Sequence, residues 1–428
     1  MLRYRRPPLS APSATRASLA AFAIAAALAP QAARATNGYF QHGYGVKSLG
    51  AAGTGIALPQ DSLAAATNPA GTALVGSRLD AGLTLFTPDR GARIRGNGAG
   101  LDGDYDGNDR RHFLIPEFGY TRALSSDLSV GLAVYGNGGM NTSYARNPFG
   151  AIGGQGKAGV NLEQLFVTPS VAARVAPGQV LGAALVLAHQ RFSARGIGPF
   201  AGASQDGGAL TDRGTDTSNG AGLKLGWTGE LAPGLSLGAS WSSKVQGSFG
   251  KYRGLFADNG GFDIPATWGV GLAWKPAPAW TLAADWQHIG YGDVGSVGNP
   301  LSRLFAGRPL GGADGPGFGW RDVRVVKLGV LNEVVPGLVL RAGYSHASQP
   351  VPGDQTFFSI LAPGVVQDHA TLGFTWGVDA HSEVSGYVAR ALPKTVSGSG
   401  SIPASFGGGE ADVRLSETLV GAAWGWKF

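Results

Sequence analysis

Five cations stand where they could meet an acid group: Arg191, Arg195, Lys224, Lys327 and Arg341. Each could hold a carboxylate by charge-assisted hydrogen bonds. All five lie in segments of alternating apolar and polar residues, and the alternation sorts them. Lys224, Lys327 and Arg341 fall on the polar parity, as do Asp80, Glu117 and Asp285. Each of the three could therefore pair with those acids, or with the segment preceding the first strand. Arg191 and Arg195 share the apolar parity of Leu185 and Leu187, on the opposite face unless a bulge intervenes. Other chemistry is thinly represented. There is no Cys, which excludes disulfides, thiolate metal sites and thiol nucleophiles. His42, His112, His189, His288, His346, His369 and His381 are scattered, with no H-E-x-x-H. Neither G-x-S-x-G nor G-x-x-x-x-G-K-[ST] occurs. No metal, no cofactor and no enzyme activity is expected, although spacing alone leaves a Ser/His/Asn hydrolytic site open.

The elements that must position these cations are strands. Leu235, Leu237, Ala239 and Trp241 alternate with Ser236, Gly238, Ser240 and Ser242. Trp280, Leu282, Ala284 and Trp286 do the same, as do Leu338, Leu340, Ala342 and Tyr344, and Ala370, Leu372, Phe374 and Trp376. A period of two gives a strand one apolar face and one polar or small face. Composition says what the apolar face meets. Charged residues are 14% of the chain, against about 25% in soluble domains. Gly supplies 71 of 428 residues, more than twice the usual share of about 7%, which disfavours long helices. Past residue 35 no apolar run reaches the 18 or more residues of a spanning helix. Since only helices and closed barrels satisfy their backbone in lipid, the composition and the alternation together point to an all-β transmembrane antiparallel β-barrel.

Fourteen such segments can be placed, near 78–88, 111–122, 127–137, 162–175, 180–192, 220–230, 234–247, 264–275, 279–289, 321–333, 337–347, 368–377, 382–391 and 413–428. Each is long enough for a tilted span of about 9–11 residues. Their connections alternate. Short turns such as Ala176-Pro177-Gly178, Ala232-Pro233-Gly234 and Val335-Pro336-Gly337 are followed by long Gly-rich loops near 89–110, 138–161, 193–219, 248–263, 290–320, 348–367 and 392–412. Short periplasmic turns and long external loops are the asymmetry of bacterial outer-membrane barrels. An even strand number puts both barrel ends on the periplasmic side. A β-sandwich or secreted adhesin would explain the alternation but neither the rhythm of the connections nor the outward Trp and Leu. In the last segment Val420, Ala422, Trp424, Trp426 and Phe428 share one parity. An aromatic end on an alternating strand resembles the signal read by the barrel-assembly machinery of Gram-negative bacteria. All ten Trp lie from Trp227 onward, a skew that nothing in the sequence explains.

The first 35 residues read as a secretory signal peptide, with Arg3, Arg5, Arg6 and Arg16, an apolar run over 17–29, and Ala33-Arg34-Ala35 as the cleavage site. These residues hold five Arg and no acid, so the chain net charge of +6 falls to +1 on their removal. That leaves no basic patch of the kind that binds nucleic acid. The expected neighbours are outer-membrane lipid and lipopolysaccharide, and the chain reads as a monomer.

Residues 36–77 lack alternation. They begin Thr36-Asn37-Gly38-Tyr39-Phe40 and end near Asn68-Pro69-Ala70-Gly71. A lumen of fourteen strands would be open to any small solute, and a segment of this size is ample to obstruct it. Here the chain resembles the FadL/TodX family of outer-membrane transporters for fatty acids and aromatic hydrocarbons. The resemblance rests on the Asn-Gly-aromatic start, the Gly-rich stretch after it, Asn68-Pro69-Ala70, and Tyr135-Gly136-Asn137-Gly138 in the third strand. Asp263-Ile264-Pro265-Ala266-Thr267-Trp268 and Ser348-Gln349-Pro350-Val351-Pro352 also fall where the family has similar segments. After the signal peptide over 1–35, the likeness implies an N-terminal hatch over 36–77 marked by Asn37, Gly38, Tyr39, Phe40, Asn68, Pro69 and Ala70, and a fourteen-stranded barrel over 78–428. It implies capture of a hydrophobic ligand at the outer loops, binding in the lumen, and sideways release through an inward kink at Tyr135, Gly136, Asn137, Gly138 and Gly139. It also places a carboxylate-binding cation near Arg191 and Arg195. Leu128, Val130, Leu132 and Val134 keep lipid parity until Gly136, Gly138 and Gly139 interrupt it. Gly within a strand marks a bulge or bend, and these glycines could equally open the loop 138–161. A general porin for polar solutes is the competing function.

Overall fold

The computed structural model of the protein describes residues 37–428; the expected signal peptide, 1–35, lies outside them. The strands are β1 (Arg78–Arg95), β2 (Gly103–Asp106), β3 (Phe113–Ala123), β4 (Leu128–Asn141), β5 (Gly159–Ala176), β6 (Gln179–Arg195), β7 (Asp216–Ala232), β8 (Leu235–Ser242), β9 (Thr267–Ala277), β10 (Trp280–Ile289), β11 (Val323–Val335), β12 (Leu338–Ala347), β13 (Asp368–Gly377), β14 (Ser382–Val396) and β15 (Glu410–Lys427). Except for β2, which pairs only with β1, each strand hydrogen-bonds the next, and β15 returns to β1. The closing seam is continuous from Arg78↔Lys427 to Arg95↔Glu410. Fourteen antiparallel strands thus close into a barrel, as lipid requires.

The burial pattern follows the alternation. Leu181, Leu185 and Leu187 on β6 are exposed, while Val180, Ala184, Val186 and Ala188 between them are buried. Trp241, Trp268, Trp376, Trp424 and Trp426 likewise face outward, where aromatic rings suit the membrane interface. Trp320 is the contrary case, buried at 1% exposure above the lumen.

Several strand boundaries differ from the sequence reading, among them those of β1, β4 and β8. The expected loop 89–110 contains the upper part of β1 and all of β2, paired from Gly91↔Asp106 to Ile94↔Gly103. Its charged residues hid the strand signature; Arg93 and Asp104 pair across it at 2.7 Å. β8 stops at Ser242 rather than 247, because the chain turns in to bridge Val245 with Ile264. β4 continues to Asn141, so its glycines lie within the strand and the loop begins later than expected.

Residues 37–77 fold inside the barrel. Short helical turns at Val46–Leu49, Ala64–Thr67 and Pro69–Ala73 are too brief to be stable alone, so their position depends on the wall. Wall carboxylates take up their free amides. Glu117 accepts from Val46 N at 2.8 Å and from Gly45 N at 3.2 Å. Asp285 accepts from Gly55 N at 2.8 Å and Ile56 N at 3.1 Å, and Asp80 accepts from Ser62 N at 2.9 Å. Glu383 pairs with Lys47 of the hatch and with Arg78 and Lys427 of the wall. Asn68 fastens the far end. Its Nδ2 donates to Ile56 O at 2.7 Å and Trp227 O at 3.0 Å, while its Oδ1 accepts from Ala70 N at 3.1 Å and caps the turn begun by Pro69.

Much of the Gly excess now has a cause. A Cβ on Gly226 would lie 1.9 Å from Asn68 Oδ1, and one on Gly182 would lie 2.3 Å from the Pro69–Ala70 peptide. Side chains there would push the hatch off the wall. Gly226→Val should therefore undock residues 56–74 while the barrel still closes. Each buried hydrogen bond lost leaves an unpaired group, at about 1–3 kcal/mol. Hydrogen exchange should show protection lost in that segment and kept in β7 to β10; unchanged protection would contradict the docking described.

Candidate functional site

The wall changes character at β4. From Ala123↔Ser129 to Phe118↔Val134 it pairs with β3, and there the pairing ends. On its other side β4 stays with β5 up to Asn141↔Asn161, with a register shift between Gly136 and Gly138. Asn137 is the extra residue of this bulge. Its side chain turns inward, accepting from Tyr44 Oη at 2.6 Å and donating to Gln164 Oε1 at 2.9 Å.

The hatch takes the edge that β4 withdraws from β3. Gln41 N donates to Asn137 O at 3.1 Å, Gly139 N donates to Tyr39 O at 2.9 Å, and Phe40 bridges Gly138 in antiparallel sense. Close approach requires Gly138, where a Cβ would sit 1.9 Å from Tyr39 O. The Asn37–Phe40 turn is then held from above by Tyr291. Its hydroxyl donates to Asn37 O and accepts from Tyr39 N at 3.1 Å and Phe40 N at 3.2 Å. Gly38 adopts φ +70°, and a Cβ there would meet the Tyr291 ring at 2.6 Å. The Asn-Gly-aromatic start is thus a turn that only Gly fits.

Where β3 and β4 part there is a cavity of about 620 Å³, within the about 300–1,000 Å³ usual for small-molecule sites. On the lumen side it is lined by Tyr39, Phe40, His42, Phe86, Glu417 and Leu419. On the outer side it is lined by Leu114 and Leu165, which are 66% and 39% exposed to the surroundings of the barrel. It therefore runs through the wall. Burial holds the His42 imidazole far down, at about 3, and the Lys327 ammonium adds to the effect. Above the hatch the external loops form an aromatic cluster in which Phe149, Phe200 and Phe357 meet edge to face. It encloses a smaller apolar cavity of about 40 Å³ beside Phe192, Phe200, Phe256, Phe318 and Phe358.

The five cations divide as parity required. Lys224 donates to Ala66 O, Lys327 to Gly53 O at 3.4 Å, and Arg341 to Gln60 Oε1 at 2.9 Å and Thr375 Oγ1 at 2.8 Å. All three hold the hatch. Lys224 and Lys327 also border a cavity of about 50 Å³ between the hatch and β7 to β9. Arg191 and Arg195 stay outward, because the register of β6 with β7 runs without a shift from Gln179 to Phe192 and that with β5 carries on to Arg195. Neither reaches the lumen. Arg191 pairs with Glu163 at 3.1 Å on the outer rim of the through-wall cavity, and Arg195 donates to Ser143 Oγ at 2.6 Å. Sequence reasoning missed Tyr291, Trp320 and Glu417. The first two lie in a loop without periodicity, and Glu417 is one inward residue among many on its strand.

The architecture has known counterparts. The P. putida toluene transporter TodX shares 19% identity over 90% of this chain and 99% of its own, with a TM-score of 0.64. A Pseudomonas aeruginosa FadL homologue shares 16% over 91% and 100%, with a TM-score of 0.70. The Ralstonia pickettii toluene transporter TbuX shares 18% over 90% and 99%, with a TM-score of 0.63. At these identities the likeness is one of fold. No curated protein sequence matches the chain. The family described as outer membrane protein transport protein (OMPP1/FadL/TodX) matches residues 23–399. With a closed fourteen-stranded barrel, and a family match over most of its length, the chain belongs to the OMPP1/FadL/TodX family of outer-membrane transport proteins.

Proposed function

We propose that the protein carries small hydrophobic molecules across the outer membrane of a Gram-negative cell and releases them sideways into the bilayer. The observation that carries this reading is the through-wall cavity, bordered by hatch residues within and by Leu114 and Leu165 without. An apolar ligand leaving water gains about 25 cal/mol per Å² buried. A polar channel to the periplasm would return that gain, whereas a gap in the wall preserves it. The aromatic cavity among the external loops is the capture point, and the Asn37–Phe40 turn lies between it and the gap. The hatch over 37–77 closes the straight path through the lumen. Two of the similar structures are described as toluene transporters, in keeping with a small apolar ligand. Fatty acids remain within the class, but the lumenal cations are engaged by the hatch, which favours neutral cargo.

Two experiments test the reading. In planar bilayers the intact protein should show little steady conductance, and deletion of 37–77 should raise it; large steady conductance from the intact protein would make it a pore for polar solutes. Deleting Asn137 should remove the bulge and let β4 stay beside β3. Uptake of a hydrophobic substrate by cells should then fall to the level of cells lacking the protein, with the barrel still assembled. Ile115→Trp, which fills the cavity without altering register, should act in the same direction. Full uptake by both variants would rule out lateral exit.

A further inference from the structure

The inner end of the through-wall cavity is polar in a way that transport of hydrocarbon does not require. Glu417 on β15 lines the cavity and is 4% exposed, and its Oε2 has no hydrogen-bond partner. His42 of the hatch lines the same cavity at 1% exposure, and its Nε2 also lacks a partner. His369 stacks on His42 with ring centres 4.2 Å apart, and its own unpartnered Nε2 is 3.8 Å from Glu417 Oε2. That separation is beyond hydrogen-bond reach. Unpaired buried polar atoms are costly and rare in folded proteins, yet three converge here. Among the described residues no group of His, Asp and Glu is placed to hold a metal ion, so a metal does not account for them. The terminal torsion of a glutamate is soft, and a small turn of the carboxyl presents its free oxygen to the cavity.

Resting on the transport reading above, we propose that this cavity selects apolar molecules carrying one neutral hydroxyl group, alcohols or phenols, with Glu417 and His42 reading that group. A hydroxyl donates one hydrogen bond and accepts others. It can donate a hydrogen bond to the free Glu417 oxygen and accept one from an imidazole N–H, which satisfies atoms a hydrocarbon leaves bare. A carboxylate ligand brings acceptors only. A cationic amine brings donors only, and meets a like charge in Arg90, which borders the adjoining space with Glu417. The neutral donor-acceptor is the group that suits both. The remainder of the cavity, with Phe86, Phe113, Ile115 and Leu162, suits an apolar body.

The test compares p-cresol with p-xylene, which carries a methyl where p-cresol has its hydroxyl, and with 4-methylbenzoate. Binding is measured to the protein purified from membranes, in lipid nanodiscs, with empty nanodiscs subtracted and free aqueous concentrations equal. The hydrophobic term by itself favours p-xylene. The proposal expects p-cresol to bind about tenfold or more tightly than p-xylene, because a site built for a hydroxyl penalises its absence. Glu417→Leu should abolish that preference while p-xylene still binds, and Glu417→Gln, which keeps an acceptor oxygen, should retain most of it. If Glu417→Leu binds neither compound, His42→Leu and Glu417→Gln decide on the same ratio. Equal or tighter binding of p-xylene by the unaltered protein, or a preference that survives both leucine variants, overturns the proposal and leaves the transport reading standing. Tightest binding of 4-methylbenzoate also overturns it. No binding of any of the three overturns the proposal and, with it, the assignment of this cavity to transport.

Discussion

Nothing in the hydrocarbon layer can hydrogen-bond a free peptide group, so β4 can leave β3 only where something else takes up its amides and carbonyls. The hatch does so. Tyr39 to Gln41 lie along the freed edge as an added strand, with Gly139 N bonded to Tyr39 O at 2.9 Å and Gln41 N to Asn137 O at 3.1 Å. The opening and the hatch are therefore one feature. A barrel without the hatch would expose the edge, and a barrel without the bulge would give the hatch no edge to pair with.

The same logic runs down the lumen. Short turns of 37–77 cannot satisfy their own ends, and the wall provides Glu117, Asp285 and Asp80 as acceptors for their amides. Lys224, Lys327 and Arg341 donate to the remaining oxygens. This divides the lumenal charges between the two sides of one interface. It also gives the cations that parity placed inward their partners in the hatch. Glycines such as Gly182 and Gly226 let the two backbones meet at contact distance.

Above that level the chemistry becomes aromatic. Tyr291, Trp320, Tyr39 and Phe40 form a packed group in which Tyr39 and Tyr291 ring centres are 5.0 Å apart. The group lies between the loop cluster and the through-wall cavity. A ligand moving along that line would displace packed rings rather than water, and the turn at Asn37–Phe40 is the element it would have to move. That turn, with Gly38 at φ +70°, lies between the aromatic loop cluster and the through-wall cavity.

The sequence by itself determined the barrel. A period of two, turn residues at short intervals, and too little charge for a water-facing surface leave one architecture that lipid permits. All fourteen spans were legible, because each is a local pattern along the chain, and the segment without alternation before β1 and the glycines after Val134 stood out against that pattern. The ends of β1, β4 and β8 were not, since charged or Gly-rich residues carry little periodic signal. What only the tertiary structure decided is which groups find partners. Lys327 and Arg341 bind the hatch, whereas the Glu417 carboxyl and the His42 imidazole keep unpaired atoms. These residues are brought together by barrel closure, with His42 and Glu417 hundreds of positions apart in the chain. Parity fixes the face a side chain occupies; closure and register fix what stands opposite it.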